Sequence, residues 1–207
     1  MRSISREVVI DPSETTRRPH HKEEHYLDKV TIAYLQGALG DATYSRLHKT
    51  HRISQSHIEW LKRLKSLLES LGYKSWIYKE GRQRGVYILE TTSKILSLNF
   101  DPDLLESPDE KKAYIRGYFD AEGGTSRGGR VRFYLQFAEK HKKRLKKVRN
   151  LLEQLGINCG RIHNPSYRQD PNYWRFYVKS CSYKKFIEEI GSWHPEKQRF
   201  LFKWVKK

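Results

Sequence analysis

The chain repeats itself. "YLQGALGDATYS" at residues 34–45 returns as "YIRGYFDAEGGTS" at 114–126, and "LLESLGY" at 67–73 returns as "LLEQLGI" at 151–157. The elements between these marks recur in the same order. A short apolar helix leads into a strand-forming stretch rich in Arg, Tyr and Thr, then a long amphipathic helix closed by Leu-Gly, then a second pair of strands. Two copies of one supersecondary unit predict an α+β protein of two pseudo-symmetric halves. The boundaries fall at an N-terminal arm over 1–26, a first half over 27–106 and a second half over 107–207.

Periodicity fills in each half. In "HIEWLKRLKSLLESLG", Ile58, Leu61, Leu64, Leu68 and Leu71 share one helical face and Gly72 is placed to cap the end. In "KHKKRLKKVRNLLEQLG" the stripe is Leu145, Val148, Leu152 and Leu155. Strands are expected in "KSWIYKEG" and "RGVYILETT", and in their counterparts "NCGRIHNPS" and "NYWRFYVKS". "NFDPDLLESPDE" (99–110), with two prolines and five acids, is a linker whose Ser107, Pro108 and Glu110 start the next helix. The final stretch from Ser182 reads as helical with a break at Pro195.

Charge narrows the partner. Forty-one Lys and Arg against 24 Asp and Glu give +17 and a pI near 9.8, which favours a polyanion because each neutralised phosphate releases counterions. No apolar run approaches the ~18 residues of a membrane span, and the acids and proline near the start do not fit a signal peptide. An intracellular protein of cytoplasm, nucleoid or organelle is expected. Cys159 and Cys181 lack zinc-type spacing and read as small buried groups in strands. His20, His21 and His25 are assigned to a solvated arm and given no chemistry.

The repeated apolar helices carry the chemistry. Ala33, Gly37 and Gly40 in the first, and Ala113, Gly117 and Ala121 in the second, form narrow stripes of small side chains. Such stripes let two backbones approach closely, the steric logic of small-xxx-small contacts. Helices packed that way bring the residues after each stripe together, Asp41 on one side and Asp120 and Glu122 on the other. Carboxylates gathered in a positive protein repel and resist ionising. A divalent cation relieves this, and hard oxygen donors suit Mg²⁺, with Mn²⁺ and Ca²⁺ fitting the same sites. A cation beside a phosphate can promote phosphodiester cleavage.

These residues resemble the LAGLIDADG homing endonucleases, in the single-chain form with two motif copies, over roughly residues 27–205. The resemblance implies αββαββα halves whose sheets form a saddle over DNA, packed through the two motif helices. It implies that Asp41 and Glu122 are catalytic and bind metal, with the backbone carbonyls of Gly40 and Ala121 as further ligands. It also points to Gln55 at the end of a strand. In the second half the matching place falls on Glu139 or Lys140, and Lys140 is nominated as the active-site lysine of some relatives. The second motif fits well. In the first, Asp41 follows Gly37 by only four residues and Ala42 stands where a glycine is usual.

A β-ribbon fits the major groove, where base edges carry a full hydrogen-bond code. The nominated DNA contacts are Tyr44, Arg46, His48, Arg52, Lys74, Trp76, Tyr78, Arg82 and Arg84 in the first half. In the second they are Arg127, Arg130, Arg132, Tyr134, Arg161, His163, Arg168, Tyr173, Arg175 and Tyr177. Residues 125–182 hold 14 Lys and Arg against 3 Asp and Glu, with Arg concentrated in the strands. The expected activity is a monomeric, Mg²⁺-dependent double-strand break in a long asymmetric DNA site. The short chain suits an intron-type enzyme. The alternatives are an intron-RNA splicing cofactor (a maturase) and a non-cleaving DNA-binding protein on the same scaffold.

Overall fold

A computed structural model describes residues 20–40, 42–81, 83–126 and 131–205, with side chains from Glu24 onward. The expectations for Asp41, Arg82, Arg127, Arg130 and the side chains of His20 and His21 lie outside these residues. The first half runs α1 (His20–Gly37), β1 (Thr43–Ser45), β2 (Thr50–Gln55), α2 (Ile58–Ser70), β3 (Ser75–Lys79) and β4 (Tyr87–Thr91), ending in a 3₁₀ turn at Pro102–Leu104. The second runs α3 (Pro108–Glu122), β5 (Gly123–Thr125), β6 (Leu135–Glu139), α4 (Lys142–Gln154), β7 (Trp174–Tyr177), α5 (Tyr183–Glu189) and α6 (Pro195–Val205). Each half has its own antiparallel sheet, ordered β1-β2-β4-β3 and β5-β6-β7.

The expected helices form for the expected reasons. Leu61, Leu64 and Leu68 of α2 and Leu145, Val148 and Leu152 of α4 are buried, joined by Trp60 and Leu151. Both helices stop at a Leu-Gly pair, with Gly72 and Gly156 in the left-handed region at φ 79° and 71°. Ser107 caps α3 by accepting from the Glu110 amide at 3.2 Å, while its hydroxyl donates to Glu110 Oε1 at 3.0 Å. α1 starts at His20, inside the stretch read as an arm. Tyr26 on it donates to Asp109 at 2.7 Å, and Lys29 reaches Glu106 at 3.1 Å, both at the entry to α3.

Three local expectations need revision. "NCGRIHNPS" forms no continuous strand; its backbone pairs with β7 and its extension at two bridges, Cys159–Val178 and His163–Arg175. The segment then turns away, where Asn164 Oδ1 accepts from the Ser166 amide. Cys181 sits exposed in a 3₁₀ turn, whereas Cys159 is buried and its thiol is pushed up to about 12 by burial; both are free. Pro195 begins α6, and the break lies just before it, at residues 190–194.

One core serves both halves. It runs from Ala33 and Tyr34 through Trp60, Tyr114 and Phe119 to Phe186 and Leu201. Its aromatic centre includes Phe137 stacked on Phe176 at 5.1 Å and Phe119 edge-on to Phe186 at 5.1 Å. No helix among the described residues is long and apolar enough to cross a membrane.

Candidate nuclease site

α1 and α3 meet backbone to backbone. A Cβ placed on Gly37 would lie 2.1 Å from the Tyr114 carbonyl oxygen, and one on Gly117 would lie 2.1 Å from that of Tyr34. The two contacts mirror each other, since each tyrosine stands three residues before its own helix's glycine. Only glycine permits an approach this close.

Beyond the crossing the helices differ. α3 stays helical to Glu122, whereas α1 ends at Gly37 and continues as turn through Gly40. There Leu39 donates back three residues, to Gln36, in the 3₁₀ manner. Three residues at a 3₁₀ rise advance about 6 Å, as do four at the α-helical rise. Gly40 reaches the end of α3 although the first motif is one residue shorter, and there it meets Glu122. Asp41, the next residue, is among those not described.

Glu122 crosses the interface. Its Cγ and Oε1 lie 2.5 and 2.6 Å from where a Cβ on Gly40 would be, so the acid of the second half rests on the backbone of the first. Two pockets flank this point. One is lined by Gly40, Glu122, Gly124, Gln136, Glu139, Lys140 and Tyr173. The other holds Gln55, Ser56, His57, Ala121, Gly123, Tyr134 and Lys197. Gln55 ends β2 and Glu139 ends β6, so they are counterparts, followed by Ser56 opposite Lys140 and by His57 opposite His141. Of the two residues left open for the second half, Glu139 is engaged inward. It accepts from Tyr118 and lies 3.6 Å from Arg144, with its side chain only 7% exposed. Lys140 is exposed at the pocket's edge.

Asp120 has a different fate from Glu122. It is buried and accepts from Tyr34 at 2.7 Å, from the Trp193 amide at 2.9 Å, and from Ser192. Tyr34 in turn accepts from Trp60 Nε1 at 2.9 Å. Burial raises the Asp120 carboxyl above its usual range, against the pull of these hydrogen bonds. Trp193 is held between Arg63 and Arg116, whose guanidinium carbons lie 4.2 and 4.8 Å from its ring centroid. Asp120 thus fastens the segment before α6 across both halves, at the wall of the Gln55 pocket, while Glu122 lines the other pocket.

The nominated DNA contacts separate by strand register. Arg52, Glu90 and Trp76 form one cross-strand row, with Tyr78 on the same face of the sheet. Arg52 donates to Tyr78 at 2.9 Å and Tyr78 to Glu90 at 2.9 Å. Burial opposes ionisation of Glu90, yet bonds from Thr50 and Tyr78 and the Arg52 charge hold it below the usual carboxylate value. Tyr44 pairs with His51, one residue out of step with Arg52, and so lies on the other face. In the second sheet Gln136, Arg175 and Tyr177 share the face opposite Phe137 and Phe176. Tyr134 meets Tyr177 edge-on at 6.0 Å, His163 stacks on Tyr177 at 6.1 Å, and Gln136 reaches Tyr173 at 3.4 Å. Arg46, His48, Lys74, Arg84, Arg132, Arg161 and Arg168 are exposed in loops or at strand ends. Trp174 packs at the core's rim beneath Lys142, 3.8 Å from its ring. Among the described residues no group of three or more His, Cys, Asp or Glu could hold a metal ion.

Sequence reasoning missed Glu90, Lys197 and the Asp120–Trp193 lock. Glu90 lies in a strand where neighbours were read for positive charge. Lys197 comes from a helix with ordinary amphipathic spacing, far along the chain from Glu122.

Two backbone-packed motif helices, the Glu122 carboxylate at the end of one of them and a sheet in each half define a class. The LAGLIDADG-like domain profile matches residues 30–103 and again 109–191, and the chain belongs to the LAGLIDADG family. Solved structures with this fold include mesophilic variants of the homing endonuclease I-DmoI (23% identity, 84% of this chain and 98% of that one, TM-score 0.62). I-DmoI in complex with DNA and Mn is similar at 24% identity, over 79% and 97% of the two chains, with TM-score 0.58. The N-terminal LAGLIDADG domain of DUF199/WhiA matches at 20% identity, over 79% and 82%, with TM-score 0.61. Identities this low establish a shared fold. No curated protein matches the chain.

Proposed function

We propose that this protein is a monomeric, site-specific DNA endonuclease that uses a divalent cation, Mg²⁺ in the cell, to break both strands of a long asymmetric target. The observation that carries the reading is the seating of Glu122 on Gly40 at the end of the reciprocal glycine crossing. It places a carboxylate of one half against the backbone of the other, between two pockets. The homing endonuclease I-DmoI has been solved with DNA and Mn and with DNA and Ca, which supports both the polymer and the class of ion.

The donor set fits a hard cation. Glu122 offers a carboxylate, and Gly40 has no side chain, leaving space that a Cβ would take from that carboxylate. Asp41 and Glu122, with the carbonyls of Gly40 and Ala121, would hold the ion. When bound it would act as a Lewis acid, activating water and stabilising the leaving oxygen. The protein's own contribution is positioning and charge. Gln55 brings an amide that can both donate and accept, suited to orienting water beside a phosphate. Lys140 offers an ammonium to the charge that grows on phosphate oxygens. Arg52, Trp76 and Tyr78 on one sheet, and His163, Tyr173, Arg175 and Tyr177 on the other, would read base edges and hold the duplex in register. The unlike halves call for an unlike pair of half-sites.

The test is incubation with a duplex that joins the sequences flanking the gene's insertion point, with and without Mg²⁺. The wild-type protein is expected to cut both strands only with the ion. Asp41→Asn and Glu122→Gln are each expected to bind the duplex but lose nicking by at least about a hundred-fold. Tight binding without any cut by the wild type would instead favour a non-cleaving binder, and preference for the intron transcript a splicing cofactor.

A further inference from the structure

α6 reaches the pocket from beyond both repeats. Its first turn carries Glu196 and Lys197, and both line the space shared with Gln55 and Ala121. Glu196 lies 3.2 Å from His57 Nε2, two residues past Gln55. Lys197 Nζ donates to the carbonyl oxygens of Phe119 at 2.6 Å and Asp120 at 2.8 Å. These belong to the last turn of α3, where a helix presents unpaired carbonyls and partial negative charge. The Gly123 amide also closes onto the Phe119 carbonyl. Ala121 and Glu122 are the next two residues.

The lysine is aimed by a fixed base. The segment leading into α6 is held by Ser192 and Trp193 on Asp120, and by the Arg63–Trp193–Arg116 stack. Lys197 thus grips the α3 terminus from an element whose own placement depends on both halves.

We propose that Lys197 is a positioning residue for the cation site: it clamps the last turn of α3 so that the Ala121 carbonyl and the Glu122 carboxylate stay aimed at the ion. The assignment rests on the nuclease reading. It differs from the roles given to Gln55 and Lys140, because Lys197 acts on backbone oxygens of the helix rather than on DNA. Removing it leaves the last turn free to fray and moves two donors at once. Arginine at 197 keeps both charge and donors.

Full-length wild type, Lys197→Met and Lys197→Arg are compared by hydrogen exchange and by Mn²⁺ binding. Exchange in peptides covering 118–125 is expected to rise in Lys197→Met, with peptides covering 58–70 unchanged and Lys197→Arg near wild type. Mn²⁺ affinity, followed by electron paramagnetic resonance with the joined-flank duplex present, is expected to fall about ten-fold or more in Lys197→Met and to recover in Lys197→Arg. Unchanged exchange, or altered exchange with unaltered Mn²⁺ affinity, overturns the proposal. Wild type that binds duplex and Mn²⁺ without cutting overturns the nuclease reading alone, and the two physical measurements still decide the role of Lys197.

Discussion

Gly37 and Gly117 are equivalent residues with equivalent tasks, and the obstacle beside each is a main-chain carbonyl that cannot swing aside. Gly37→Ala or Gly117→Ala should therefore cost about 2–3 kcal/mol or more, read as a fall in melting temperature, and should abolish cleavage by parting the helices. Gly85→Ala, with nothing within 4 Å of its Cβ position, should leave the melting temperature unchanged. This importance was legible, because the spacing of small residues announces a close crossing. The separate fates of Asp120 and Glu122 were not. Two residues apart on a helix they point about 200° apart, so only one can face a given site. Which one does depends on Ser192 and Trp193, partners far along the chain.

Among the elements, the capped helices were the easiest to foresee. Ser107, Pro108 and Glu110 supply a start signal that acts locally, and the hydrogen bonds expected from it are present. Ser107→Ala should lower stability by about 1 kcal/mol in chemical denaturation, with activity at low temperature retained. The ends of the motif helices were harder. The missing residue before Asp41 predicted a difference in register, but only the structure showed α1 giving way after Gly37 to a 3₁₀-like turn that brings Gly40 against Glu122. "NCGRIHNPS" misled because its β-forming residues lie at strand-like spacing, whereas neighbours beyond β7 decide whether a ladder forms. There the pairing is reduced to two bridges.

Across the whole molecule, charge sets the energetics of binding. With +17 on the chain, affinity for duplex DNA should fall steeply with salt. Arg175→Ala, in the Tyr134–His163–Tyr177 cluster, should cost about 1–3 kcal/mol and relax discrimination at one or two base pairs. Lys143→Ala, on the flank of α4, should weaken all sequences alike and reduce the salt slope by about one. Competition binding on a panel of single-base variants at two salt concentrations separates these outcomes. Equal loss on every sequence for Arg175→Ala would remove it from the base-reading set.

By itself the sequence determined the duplicated plan, the long helices and their caps, the thin faces of the motif helices and the positive character of the sheets. Each follows from spacing or composition within a few turns of chain, where geometry is imposed by the backbone. Tertiary structure alone decided that Glu122 lies over Gly40, that Asp120 turns to the strap at Trp193, and that Lys197 arrives at the end of α3. Those contacts join residues tens of positions apart, and no local periodicity encodes them; they exist because the two halves and the C-terminal helix close on one common core.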